Sequence, residues 1–387
     1  MVREHVAIFG SDPVRGLTRL VDRGETVRMD RGSDDDRHAS EPSSTMKGTR
    51  GSVLVLVVWA VALLSLLAVA LASRSTFLLG VTDRMTERLQ ASYIAMAGVQ
   101  HALKVVARDA TLHYDGLSEE WADSMTLFAD QPFGAGTFTV YADGAGAGGA
   151  PAADGAEAPP EVFGLIDEER KLNLNTASPE MLQRLFRAAG GLEEEAATDM
   201  SDVVVDWRDE DQDDRPGGAE DFYYMGLTTS YDCKDAPFES VEELWLLKGM
   251  TPKLFERAAP LVTVYGSGAV NINTASEEVL QALGLGAESA RGMFWYCSGE
   301  DGAPGTDDDR MLTSTAAVSG DLSALMSAED IALLQRLGQD RLAAVGSSVF
   351  SFRVVARVGE GEAANQSRTQ VRCVAERSGR ILTWREW

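Results

Sequence analysis

Met46 to Arg74 reads MKGTRGSVLVLVVWAVALLSLLAVALASR, and no charged residue lies between Arg50 and Arg74. The uncharged run from Gly51 to Ser73, rising about 1.5 Å per residue, reaches about 34 Å, enough to cross a hydrocarbon core of roughly 30 Å as a helix. A cleaved secretory signal is the nearest rival, because Ala70-Leu71-Ala72 has the small-x-small form of a cleavage site. Such signals carry only about 7–15 apolar residues, so the stretch reads as an anchor that stays in place. Past Arg74, Leu78, Val81, Met85, Leu89, Tyr93, Met96, Gln100, Leu103 and Val106 fall mostly at three- and four-residue steps, with no proline before Pro132. That periodicity predicts a helix with one apolar stripe. Either one helix runs from Ser52 to about Arg108, or two meet near Gly80.

Composition narrows the functional classes. The chain of 387 residues carries 60 acidic against 35 basic side chains, a formal charge of -25. Residues 1–51 hold nine of each sign, so the whole excess lies beyond them. A body this acidic repels nucleic-acid phosphates and favours divalent cations or basic protein surfaces. Cys233, Cys297 and Cys373 show no C-x-x-C spacing and allow one disulfide at most, while His5, His38, His101 and His113 never stand at H-x-x-x-H spacing. No serine, cysteine or histidine constellation points to catalysis, and acidic loops alone do not make a glycosidase pair. The chain is therefore read as a non-enzyme.

Beyond the long helix, Gly136 to Tyr141 alternates like a strand, and Val162 to Asp167 reads as a second. Between them lies DGAGAGGAPAADGAEAPPE, a linker by composition; its Gly144, Gly146 and Gly149 match G-x-G-x-x-G but lack the βαβ context that a nucleotide site needs. A mainly helical block runs to about Gly346. Ser348–Arg357, Thr369–Ala375 and Ile381–Trp384 then alternate as a meander, with turns at Gly359 to Glu362 and at Ser378-Gly379. Strands at both ends of a helical block predict that the helices are inserted into one sheet.

The block holds an internal repeat, Leu172-Asn-Leu-Asn-Thr-Ala-Ser178 and Val270-Asn-Ile-Asn-Thr-Ala-Ser276, each followed by a helix pattern and a glycine-bearing turn. Thr274-Ala-Ser-Glu277 has the form of a capping box, and Ser178-Pro179 supplies an N-cap with proline at the first helical position. A looser third unit runs from Ser240 through Lys248-Gly-Met250 to Phe255. These resemble helix-hairpin-helix units, a family often found on DNA. DNA-binding copies usually bring a P-G-I-G-like hairpin and nearby basic residues; here the turns read Ala-Ala-Gly-Gly, Leu-Lys-Gly-Met and Leu-Gly-Leu-Gly amid strong acidity, and the reading is of structural supports.

The most specific polar feature is Asp206-Trp-Arg-Asp-Glu-Asp-Gln-Asp-Asp-Arg-Pro-Gly-Gly-Ala-Glu220-Asp221. With Asp209 as position one, Asp211, Asp213 and Glu220 occupy positions three, five and twelve, the carboxylate spacing of an EF-hand loop. Asp214 in place of the loop glycine, and Pro216 at position eight, argue against an EF-hand itself. Several hard oxygen ligands on a tight loop still suit calcium; the rival is a solvated acidic loop partly neutralised by Arg208 and Arg215. A second run, Gly299 to Asp309, has similar composition and no defining spacing.

Met46 to Gly51 resembles the leader of the type IV pilin family, which implies cleavage by a prepilin peptidase between Gly51 and Ser52. The glutamate most pilins carry at mature position five is Leu56 here, a loss tolerable only in a subunit with no neighbour above it. With the doubled N-x-N-T-A-S, the Asp206-Trp207-x-Asp209-x-Asp211 run, Gly218-Ala-Glu220 and the ending Leu382-Thr-Trp384-Arg-Glu386, the chain after Met46 resembles the minor pseudopilin K family of type II secretion systems. The resemblance implies an α+β fold: a long N-terminal transmembrane helix and a pilin-like antiparallel sheet with a large all-α insertion of helix-hairpin-helix or SAM-like form. It implies calcium at Asp206, Asp209, Asp211 and Glu220, with Asp213 and Asp221 as further candidates. It also implies minor pseudopilins I and J as partners at a pseudopilus tip, an inner-membrane anchor with a cytoplasmic N-terminus, a periplasmic bulk and no nucleic acid. The expected organisation is an extension or mis-assigned start at 1–45, the leader at 46–51 and the membrane helix at 52–73. Helix and first strands follow at 74–167, the helical domain at 168–345 and the closing strands at 346–387. A membrane-anchored DNA-uptake protein and a secreted calcium-dependent hydrolase cut after Ala72 are the alternatives.

Overall fold

The computed structural model describes residues 50–109, 111, 113–142, 161–359 and 368–387. The extension 1–45, the leader up to Thr49, nearly all of the Gly-Ala-Pro linker and most of the turn after Gly359 lie outside them. Two compact units divide the chain, residues 1–70 and 71–387.

Helix α1 spans Arg50–Ala107 without a break. It is long and apolar enough to cross a membrane. In the first unit its described side chains, from Val53 onward, are all exposed, and Ser65 turns its hydroxyl back to the Val61 carbonyl at 2.8 Å, so the polar group is satisfied within the helix.

In the second unit the end of α1 packs on a sheet through Ala91, Ile94, Ala95, Val99, Ala102, Leu103 and Val106. This corrects the stripe read from the sequence: Met85, Leu89, Tyr93 and Met96 are exposed, and only Leu103 and Val106 are shared with the buried face. Small side chains let the helix axis come close to the sheet, so alanines and a glycine win the inner face over the bulkier residues. Gly98 marks the closest approach, since a Cβ there would stand 2.6 Å from Val354 Cγ1 and 3.0 Å from the Phe138 ring. Gly98→Val is expected to cost about 1–3 kcal/mol by overpacking, read as a lower denaturation midpoint.

The sheet runs β1 (Gln131–Phe133), β2 (Gly136–Tyr141), β8 (Val349–Val358), β9 (Arg368–Glu376) and β10 (Ile381–Glu386) in that spatial order. All its pairings are antiparallel, and β3 (Ile166–Asp167) also pairs with β8 through Ile166↔Ser351. The strand expected over 162–167 is thus only two residues long. Before it, Gly164 lies against the Ala122 carbonyl and Phe163 bonds Asp123 through its amide, which holds that segment off the ladder. Strand β1 was not foreseen; Gly134 turns it into β2 with a φ of 60°.

Between β3 and β8 the chain builds the helical domain: β4 (Leu172–Asn173), β5 (Val262–Thr263), β6 (Val270–Asn271) and β7 (Ala343–Ala344) frame helices α3 to α10. Short α2 (Met125–Phe128) precedes them. The rest are α3 (Pro179–Ala188), α4 (Glu194–Arg208), α5 (Asp221–Tyr224), α6 (Pro252–Ala258), α7 (Glu277–Ala282), α8 (Ala287–Cys297), α9 (Val318–Asp321) and α10 (Ala328–Gln339). One core joins Leu182, Phe186, Val204, Leu244, Ile272 and Leu280. A separate core lies between α1 and the sheet. Both belong to residues 71–387, so this unit holds its own folding determinants.

The two repeats are built alike. Each begins with a two-residue parallel pairing, β4 with β5 and β6 with β7, and then a serine caps the helix, Ser178 for α3 and Ser276 for α7. The second asparagine of each motif clamps a distant loop. Asn175 accepts from the Phe238 amide at 2.7 Å and donates to its carbonyl, and Asn273 does the same across the Leu312 amide, at 2.9 Å, and carbonyl. These polar side chains are used within the fold, as structural supports would be. The looser third unit opens with a 3-10 turn, Val241–Leu246, closed by a Ser240–Glu243 capping box. All three cysteines are free, so the one disulfide their number allowed is not formed.

Candidate metal centre

Helix α4 ends in the polar segment Asp206–Arg208, and the loop after it folds back so that four carboxylates meet. Asp206 is fully buried; its Oδ2 accepts from the amides of Ala219 at 2.9 Å and Arg215 at 3.2 Å. Gly218 packs directly on that carboxylate, where a Cβ would collide with Oδ2. The Gly217-Gly218 pair therefore answers a steric demand. One turn earlier on α4, Asp202 accepts from the Gly217 amide at 3.1 Å and fixes the same loop.

Several buried oxygens of this cluster are left without a protein hydrogen bond: Asp206 Oδ1, Asp209 Oδ1, both oxygens of Glu220 and Asp235 Oδ1. Donor atoms of Asp209, Asp211 and Glu220 lie within 4.8 Å of one another, as do those of Glu220, Cys233 and Asp235. Burial pushes the Asp206 carboxyl up to about 6 and, reinforced by the charges of Asp206, Asp235 and Asp209, the Glu220 carboxyl up to about 7. Burial, with Asp211 beside it, raises Asp209 as well. Unpartnered buried carboxylates are costly. A hard divalent cation, which takes six to eight oxygens, fits this donor set.

Of the residues singled out from the sequence, Asp209, Asp211 and Glu220 converge, and Asp206 is near enough for its charge to act on Glu220. Asp213 and Asp221 do not converge. Asp211 Oδ1 accepts from the Asp213 amide at 3.0 Å, and the tight turn this makes leaves Asp213 exposed. Asp221 Oδ1 instead accepts from the Cys233 amide at 2.8 Å and ties down the neighbouring loop. The EF-hand spacing therefore misplaces position five. Arg208 reaches the loop only through its charge, which favours the ionised Asp209; its guanidinium bonds the carbonyls of Leu174 and, at 2.7 Å, Ala177. Arg215 forms an ion pair with the loop, its Nε 3.5 Å from Asp206 Oδ1.

Asp235 was missed. It sits in an acidic stretch with no ligand spacing, and only the fold of Cys233–Asp235 brings it to Glu220. Its loop is held by Lys234, whose Nζ lies 2.8 Å from Glu243, and by Gln212, which donates to Asp235 Oδ2 at 2.5 Å. Its φ of 47° is the left-handed kink that turns the carboxylate inward. Cys233 Sγ points at the Asp206 carbonyl, 3.7 Å away, and its soft sulfur suits a hard cation poorly.

Two other acidic groups differ in kind. In the run 299–309, Asp308 accepts from the Glu300 amide at 2.6 Å and Asp309 from Gly305 at 2.8 Å, so the loop bonds itself. Asp109, Asp115 and Glu119 converge as well, yet Arg377, Ser347, Thr111, Gly116 and Trp121 satisfy their oxygens.

Residues 164–267, which contain the whole carboxylate cluster, match the family model for type II secretion system protein K. The type II secretion system protein K of Pseudomonas aeruginosa is 28% identical over 246 residues, 61% of this chain and 68% of that protein. That of Klebsiella pneumoniae is 28% identical over 58% of this chain and 66% of its own length, and that of Aeromonas hydrophila 33% identical over 46% and 51%. The chain thus spans about two thirds of the first two relatives and half of the third. In structure it is similar to a chain in the crystal structure of the GspK-GspI-GspJ complex from enterotoxigenic Escherichia coli. The TM-score is 0.57 at 16% identity, over 79% of this chain and 99% of that one. Fold and sequence together make the chain similar to a component of the type II secretion system. Within that class the chain is similar to the protein K family, in sequence and in fold.

Proposed function

We propose that the chain works at the tip of a type II secretion pseudopilus, anchored in the inner membrane by α1, with its helical domain in the periplasm as an insertion into a pilin-like sheet. The observation that carries this reading is the two-sided character of α1. Its small residues pack on the chain's own sheet, and its large apolar residues Met85, Leu89, Tyr93 and Met96 remain exposed. Exposed apolar side chains in one stripe are a helix-packing surface. Minor pseudopilins I and J, the companions named with the similar solved chain, are the partners this surface suits. Leu56, in place of the usual glutamate, supports a position with no subunit above it.

The leader is cut by the prepilin peptidase between Gly51 and Ser52 on this reading. Calcium is held by Asp206, Asp209, Asp211 and Glu220, with Asp235 added. It supplies the positive charge that their buried oxygens lack. Asp206 and its two amide donors pre-shape the loop, while Lys234 and Glu243 hold the Asp235 loop in place.

Co-expression with the cognate I and J proteins tests the assembly. A ternary complex is expected from membranes, with Ser52 at the mature N-terminus of this chain. The double variant Met85→Asp, Leu89→Asp is expected to lose the complex while its 71–387 unit melts unchanged. A complex indifferent to that variant would remove the α1 surface from the reading, and Ser73 at the N-terminus would replace the anchor with a cleaved signal.

A further inference from the structure

Immediately after Glu220, the short helix α5 holds its residues in opposite environments. Tyr224 is fully buried, its ring 5.3 Å from both Trp207 and Tyr231. Phe222, two positions earlier and so on the other side of the turn, is 91% exposed. No other large apolar side chain among the described residues is more exposed. Met225, one turn on from Phe222, and Tyr223 are exposed beside it. Nothing local can hide them. Glu220 and the Asp221–Cys233 bond anchor the turn on one side, and on the other Lys248 lies 5.3 Å over the Tyr223 ring while donating to the Gly218 carbonyl at 2.7 Å. The knuckle is therefore a fixed feature of the surface.

Its surroundings say what it fits. Between Asp206 and Glu243 there are thirteen carboxylates and three basic side chains. Glu210, Asp211, Asp213, Asp214 and Asp232 are exposed around the knuckle's own segment. A divalent ion in the cluster would leave a large negative excess. An apolar anchor in so acidic a segment repels anionic lipid and nucleic acid, and it repels a second copy of the same surface. It complements a protein surface with an apolar pocket ringed by Lys and Arg, where an aromatic anchor supplies affinity and the charged rim supplies rate and selectivity.

We propose that Phe222, with Tyr223 and Met225, is a docking knuckle for a basic-rimmed apolar groove on a partner protein. The site is distinct from the α1 surface and does not depend on what that surface binds. The 71–387 unit, with calcium present, is titrated with a fluorescent helical peptide that carries a leucine stripe and a lysine face. Binding that weakens with salt is expected, and Phe222→Ser should weaken it at least tenfold with an unchanged melting temperature. The double variant Phe222→Ser, Met225→Ser should weaken it further. Equal binding by Phe222→Ser, or equal binding of a scrambled peptide of the same charge, overturns the knuckle in favour of acidity alone. Binding of the unit to phosphatidylcholine vesicles, lost in Phe222→Ser, with no peptide binding, overturns it in favour of a lipid surface.

Discussion

Chelation of calcium from the 71–387 unit at pH 7.5 is expected to lower its melting temperature by about 5–10 °C, the equivalent of the roughly 2.7 kcal/mol that a ligand at a hundredfold excess over its dissociation constant contributes. The expectation rests on five buried carboxylate oxygens without a protein hydrogen bond, on Asp206, Asp209, Glu220 and Asp235, of which only Asp206 Oδ1 has an ion-pair partner, Arg215. Without a cation these groups resist ionisation. Burial holds Asp206 at about 6 and Glu220 at about 7, above the ordinary carboxylate range. A carboxyl whose folded pKa is raised contributes stability that is full below its unfolded pKa and is lost as pH rises through the folded one. The chelated protein should therefore melt higher at pH 4.5 than at pH 7.5, and the calcium increment should shrink over the same interval. Asp235→Asn should weaken calcium binding, read by isothermal titration, whereas Asp213→Asn should leave it unchanged. A melting temperature indifferent to chelator would remove the metal from the account.

The second large effect is expected far from that cluster. Arg377, in the turn between β9 and β10, reaches Asp109 Oδ2 at 3.2 Å, Asp115, the Val106 carbonyl at 3.1 Å and the Ser347 carbonyl at 3.2 Å. It ties the end of α1, the loop behind it and the chain's return from the helical domain. Asp115 is fully buried; its other oxygen accepts from the Ser347 amide, and its carbonyl accepts from Asn271 at 3.3 Å. Removing one partner of a buried ion pair leaves an uncompensated charge, at about 3–5 kcal/mol. Arg377→Met should thus lose on the order of 10 °C in melting temperature. The double variant with Asp115→Asn should recover part of the loss, because the orphaned charge goes with it. A change below about 1 kcal/mol in Arg377→Met would show that solvent reaches the joint.

Much of this was legible in one dimension because it depends on neighbours in sequence. An uncharged run from Gly51 to Ser73 makes a membrane-length helix whatever surrounds it. Alternation over Gly136–Tyr141 and 348–357 marks strands, and Ser178 caps α3 by accepting from the Met181 amide, whereas the capping box read at Thr274 gives way to Ser276, which accepts from the Val279 amide. Asp209, Asp211 and Glu220 were readable as candidates because one loop carries them, while Asp206, on the last turn of α4, came only from the family resemblance. Contacts between distant segments settled the rest. The face of α1 that packs was set by how near a helix can come to a sheet, which favours Ala91, Ala95, Gly98 and Ala102 over the bulkier stripe. Asp235 joins Glu220 only because the Cys233 loop is pinned to Asp221, and Asp213 leaves because a turn one bond long points it outward. Periodicity records what a residue's neighbours on the chain impose; close approach and convergence are properties of segments that meet only once the chain has folded.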